Sequence, residues 1–160
     1  MVRSAVSIEV RVDAPAWRKA WPSATRQARQ FLLPVTKRPD FRPAPKDVVV
    51  IVLSDDARVR GLNSQFRGKD RATNVLSFPD PSAPLGGIML ALETLEKEAK
   101  QQGKPFINHV KHMILHGFLH LLGHDHQTKP DARLMERLEI AILREMGIPN
   151  PYVIEAKTRA

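Results

Sequence analysis

DVVVIVL, residues 47–53, is an unbroken β-branched run with no polar residue alternating after Asp47. Such a run suits a strand covered by structure on both faces, the usual state of a strand inside a helix-flanked sheet. Ser54, Asp55 and Asp56 follow it, and short polar side chains there predict the cap of a helix running to about Ser64. Upstream, Val6, Ile8, Val10 and Val12 alternate with polar residues, the pattern of a half-buried strand. Between the two lies a helical stretch from about Trp17 to Leu33, which Pro22 either starts or kinks. Two strands joined through a helix predict a right-handed crossover and parallel pairing. Pro39, Pro43 and Pro45 make residues 37–46 a connector.

Downstream, NVLSF (74–78) reads as a short strand, and Pro79, Pro81 and Pro84 predict a loop after it. GGIMLAL (86–92) returns as another strand. ETLEKEAKQQ, from Glu93, is a helix closed by Gly103 and Pro105. Asn108 is placed to cap the next helix, and Pro130 to open a last one reaching Met146. The expected architecture is α/β (α+β). It is a single small domain over 1–160, with a mixed sheet of about four strands packed with about five helices.

Composition narrows the chemistry. The chain has no cysteine, so disulfides and thiolate ligands are excluded and any metal must be held by nitrogen and oxygen. A net charge of +8 favours a polyanionic partner, with nucleic acid ahead of a membrane, since no basic amphipathic helix with an aromatic face is evident. No apolar run reaches the length of a spanning helix, and the first residues alternate where a signal peptide needs continuity; a cytoplasmic location is the expectation.

All six histidines lie between His109 and His126, four of them, at 116, 120, 124 and 126, in HGFLHLLGHDH (116–126). His116 and His120 stand one helical turn apart on one face, and Gly123 is placed to end the helix and return His126 to the same point. Three imidazoles fill three positions of a tetrahedron and leave the fourth open, the pattern of a catalytic zinc site. Within the helix His109, His112, His116 and His120 share an arc of roughly 80°, with apolar residues opposite, so the histidine helix is expected in the core with this stripe on a cleft. His109 and His112 are expected to line the cleft or pack. Asp125 either orients an imidazole or forms the turn. The spacing H-x-x-x-H-x-x-G-x-x-H is that of metzincin proteases, but Gly117 stands where those enzymes carry the glutamate base, which weighs against peptide hydrolysis and leaves phosphodiester chemistry open.

HGFLHLLGHDH closely resembles the HGxLHLxGYDH signature of the YbeY family of bacterial ribosomal RNA maturation factors, which are metal-dependent endoribonucleases. FRGKDRATNVLSFPD (66–80) resembles the family's second hallmark, Y-R-G-K-D-x-P-T-N-V-L-S-F-P. The likeness runs from about Val48 to Tyr152, through EKEAKQQGKP to the closing N-P-Y. It implies a small α/β fold with one zinc per chain, held by His116, His120 and His126 in a positively charged cleft. Nickel is a possible substitute. It also implies a functional arginine at Arg67, which without the resemblance reads as a solvated loop residue. Lys69 and Arg71 then serve as RNA phosphate contacts, or simply as a charged turn. The implied activity is cleavage of single-stranded RNA in 3′-end formation of small-subunit (16S) ribosomal RNA and in ribosome quality control, with ribosomal proteins or assembly GTPases as possible partners and no membrane. A non-catalytic RNA-binding assembly factor with a structural metal is the other reading. The chain departs from the family pattern at His124 (usually tyrosine), Phe66 (an aromatic hydroxyl), Ala72 (proline) and Gly87 (aspartate).

Overall fold

The β-branched run forms the centre of the sheet. In the computed structural model, which describes residues 6–41, 47–68 and 73–153, DVVVIVL becomes strand β2 (Val48–Ser54), buried on both faces. β1 (Ser7–Val12) pairs with it in parallel on one side, with Ile8 opposite Val49. On the other side β4 (Ala83–Ala91) is also parallel, and β3 (Val75–Asp80) completes the sheet antiparallel to β4. The order is β1-β2-β4-β3, a mixed four-stranded sheet.

Six helices are described, one more than expected, because the first helical stretch is broken. α1 (Trp17–Ala20) stops at Trp21 (φ −147°, ψ 81°), and α2 (Ala24–Thr36) begins beyond it. Pro22 disfavours the helical region for the residue before it, so one stretch becomes two. The indole N–H of Trp17 donates to the Ser54 carbonyl at 2.7 Å, fixing α1 to the end of β2.

α3 (Asp56–Arg67) is capped by Asp55, whose carboxylate accepts from the Arg58 N–H at 2.9 Å. Ser54 belongs to β2, and Asp56 accepts from the Thr94 hydroxyl at 2.9 Å. This helix outruns its expected end at Ser64 and closes on Gly68 in the left-handed conformation (φ 66°). The backbone of Arg67 therefore sits in the last helical turn and not in a loop; its side chain, and Lys69, Arg71 and Ala72, lie outside the described residues. The loop expected around Pro79–Pro84 is instead a tight hairpin. Proline is tolerated there because β3 is an edge strand with a pairing irregularity between Phe78 and Asp80, and Pro84 precedes the point where β4 first pairs with β2.

α4 (Leu92–Gln102) leads to α5 (Phe106–Leu121), the histidine helix. Asn108 lies inside its first turn and does not cap it; Pro105 (φ −58°, ψ 135°) occupies the cap position, where its missing N–H costs the helix no hydrogen bond. α6 (Lys129–Glu145) begins at Thr128, whose hydroxyl accepts from the Asp131 N–H, with Pro130 in the first turn as expected.

α5 packs against β3 and β4, α2 against β1, and α5 also meets α4 and α6, so the main core lies between one sheet face and these helices. α3 covers part of the opposite face through Val59, Leu76 and Ala91. Gly117 is what lets α5 approach so closely. A Cβ there would meet Ile88 Cγ2 at 2.7 Å, and the Gly117 carbonyl accepts from the Ser77 hydroxyl at 2.9 Å. Among the described residues, no helix is long and apolar enough to cross a membrane.

Candidate metal centre

The end of α5 decides where the histidines point. Gly123 takes a positive φ of 97°, its N–H donating to the His120 carbonyl and that of His124 to the Leu119 carbonyl. This pair of bonds is a Schellman closure, which turns the chain back across the helix end. His116, His120 and His126 are brought together as the spacing predicted, each offering a ring nitrogen within 4.8 Å of the others.

Hydrogen bonding selects the nitrogen that the His116 and His120 rings present. His116 Nδ1 lies 2.7 Å from Glu139 Oε2, and an ionised carboxylate only accepts, so Nδ1 carries the proton. His120 Nδ1 donates to the His124 carbonyl at 2.9 Å. With both rings neutral, each therefore turns an unprotonated Nε2 outward, and the two Nε2 atoms stand 3.2 Å apart. Two lone pairs at that distance repel unless a cation lies between them. Zinc–imidazole bonds of about 2.0–2.1 Å at tetrahedral angles put the nitrogens about 3.3 Å apart, so the donor set fits such an ion. Burial, and then the neighbouring His116, lower the His120 pKa, favouring the neutral form that ligates.

Glu139 is the partner that sequence reasoning missed. Its side chain is fully buried (0% exposed). Burial pushes its carboxyl up, but hydrogen bonds and charge from His112 and His116 outweigh burial and bring it to about 2. Its second oxygen accepts from the Tyr152 hydroxyl, and His112 Nε2 lies 3.3 Å away. A signal was available: Met135, Glu139, Ile142 and Leu143 form the buried stripe of α6, so an acid stood where the helical period calls for an apolar residue.

The other expected residues take separate places. His112 is buried beside Glu139, and His109 Nε2 pairs with Glu98 at 2.9 Å; both line a cavity of about 420 Å³ next to His116. Asp125 accepts from the His126 N–H at 2.6 Å, making the turn, and with His124 it lines a second cavity of about 540 Å³ that reaches His120. Asn74 donates to Glu98, tying the start of β3 to α4. The charged residues on the described cavity walls are Asp80, Glu98, Lys104 and Asp125; of Arg67, Lys69 and Arg71, only the backbone of Arg67 lies within the described residues.

Fold and site together define a class: a small mixed-sheet protein whose buried helix ends in a three-imidazole group able to hold a metal ion. The fold is shared with the solution structure of a Thermotoga maritima protein, 22% identical, with a TM-score of 0.57 over 88% of this chain and 91% of that one. The family model described as Endoribonuclease YbeY matches residues 17–147. Curated proteins of that name are similar over most of their length. One from a Bradyrhizobium strain is 41% identical over 155 residues, covering 90% of each chain. One from Methylocella silvestris is 43% identical over 150 residues, covering 91% of this chain and 85% of its own. The chain belongs to the endoribonuclease YbeY family.

Proposed function

We propose that the chain is a zinc-dependent, single-strand-specific endoribonuclease acting in 3′-end maturation of small-subunit ribosomal RNA and in ribosome quality control. Family membership supports RNA cleavage. The observation carrying the metal assignment is the 3.2 Å approach of two imidazole nitrogens whose opposite nitrogens are already committed as donors. His116, His120 and His126 would hold the ion, and the all-nitrogen donor set admits zinc, with nickel as a substitute. Zinc supplies Lewis acidity, lowering the pKa of water to about 7 and polarising a phosphoryl oxygen.

The chain's own groups do the rest. Glu139 holds His116 in the ligating tautomer, and the His124 carbonyl does the same for His120. Arg67, carried at the end of α3, holds a phosphate oxygen and stabilises the charge that develops there; Lys69 and Arg71 make sequence-independent phosphate contacts. Gly117 argues against peptide hydrolysis, because the space beside it is filled by Ile88 and Ser77 and admits no glutamate.

His116→Ala and Arg67→Glu test this reading. Both should fold, lose cleavage of single-stranded RNA, and fail to restore ribosome maturation in a deletion strain. Normal maturation with either variant would contradict nuclease function and favour an assembly factor with a structural metal. A 2′,3′-cyclic phosphate at the earliest time point would assign attack to the RNA 2′-hydroxyl, and linear ends alone would assign it to water.

A further inference from the structure

A third cavity, of about 610 Å³, runs from His120 to Phe66. Its walls are aromatic and apolar: Phe66 at the end of α3, Phe78 and Pro79 on β3, and Leu121 beside His120. Phe66 is 52% exposed although the helix carrying it has other residues buried against the sheet. Single exposed apolar residues are ordinary, but this one borders a cavity that shares His120 with the proposed metal group.

Phe78 helps make that wall apolar. It pairs across the sheet with Gly87, and its ring fills the space a side chain at 87 would take, with a Cβ there falling 2.3 Å from the ring. Phe66, one of the positions where this chain departs from its family's pattern, thus sets a phenyl ring on the cavity wall, and the glycine at 87 leaves room for the Phe78 ring that shares it. The charged group on this wall, Asp80, is already engaged: its carboxylate accepts from the Ser82 hydroxyl and N–H, and Arg11 lies 3.9 Å away. Among the described residues this wall is apolar apart from one engaged carboxylate, a lining that suits a flat, uncharged ring better than a phosphate.

We propose that the Phe66–Phe78 cavity is a nucleobase subsite, in which an unpaired RNA base next to the cut stacks on Phe66 while its phosphate lies at the histidine group. This rests on the nuclease reading and adds the way the substrate strand is gripped. Aromatic stacking requires an unstacked base, so it supplies a reason for single-strand preference that does not depend on reading sequence.

The test uses the full-length, zinc-loaded chain and a labelled single-stranded oligoribonucleotide, intact or carrying one abasic nucleotide at successive positions near the cut. Phe66→Ala should raise KM about tenfold on intact RNA, with kcat within about twofold. Phe66→Trp should hold KM near wild type, and Phe66→Leu should behave as Phe66→Ala. With the abasic nucleotide at the stacking position, wild type and Phe66→Ala should become alike. Equal KM for wild type and Phe66→Ala on intact RNA, with His116→Ala inactive, would overturn the subsite and leave the nuclease reading standing. An equal loss on intact and every abasic substrate would overturn it as a merely structural effect. Unchanged RNA kinetics with weaker ribosome co-sedimentation would assign the cavity to a protein partner instead. A wild-type chain that cleaves no RNA would overturn both.

Discussion

Glu139 fixes the orientation of His116 without being one of the three residues able to hold the ion. It is a buried anion stabilised by donors from three side chains, and its bond to His116 decides which nitrogen of that ring faces outward. Replacing it with the isosteric amide removes the charge while preserving the shape. Glu139→Gln should weaken zinc affinity about tenfold in a chelator competition; an unchanged affinity would show that the helix alone orients His116. Glu98, paired with His109 and Asn74, offers a separate test. Burial raises its carboxyl, but the His109 and Asn74 hydrogen bonds outweigh that and leave it below its ordinary value of 4.5. A lowered folded-state value means stabilisation present above that ordinary value and lost as pH falls through the folded one. The stability difference between wild type and Glu98→Gln should therefore be full near neutrality and shrink below about pH 4.5 in denaturant titrations. A constant difference from neutral to strongly acid pH would refute this pairing.

At the scale of elements, the contact of α5 with the sheet sets where the histidines lie, and at Gly117 the two pack too closely to leave room for a Cβ. Alanine there gains helix propensity of up to about 1 kcal/mol, but its Cβ is forced against the buried Ile88, an overpacking costing about 1–3 kcal/mol. Gly117→Ala should be destabilised by about 1 kcal/mol, a fall in Tm of about 2–4 °C at this chain length; a rise in Tm would mean that α5 backs away freely. Elements were legible where their cause is local. The β-branched run, the alternation of β1, the i, i+4 histidines and Gly123 each follow from spacing within one segment. What was not legible depends on neighbours distant in sequence. Pro79 lies in a strand because β3 is at the sheet edge, a fact of strand order. Glu139 binds a histidine 23 residues away, and Asp125, nearer in sequence, spends its carboxylate on its own turn.

At the scale of the whole molecule, the candidate ligands come from α5 and the turn after it, while α6 and the segment carrying Tyr152 hold His116 in place through Glu139, so a bound ion would pin the turn to the end of α5. A ligand that binds only the folded state stabilises it by about 2.7 kcal/mol at a hundredfold excess over Kd. Zinc at that excess should raise the wild-type Tm by about 5–10 °C and leave His120→Ala almost unmoved; equal shifts in the two would place the ion elsewhere. The fold was expected in its class, its strand number and the parallel pairing of β1 with β2, while the directions of β3 and β4 became clear only with the sheet order. The central claim joins metal to cleavage. Its most direct test is the rate of single-stranded RNA cleavage by chelator-stripped chain as zinc is added back. The account predicts no cleavage without metal, a rise that saturates at one equivalent per chain, and none at any zinc level for His116→Ala. Cleavage that persists in the stripped chain, or that survives in His116→Ala, would contradict it.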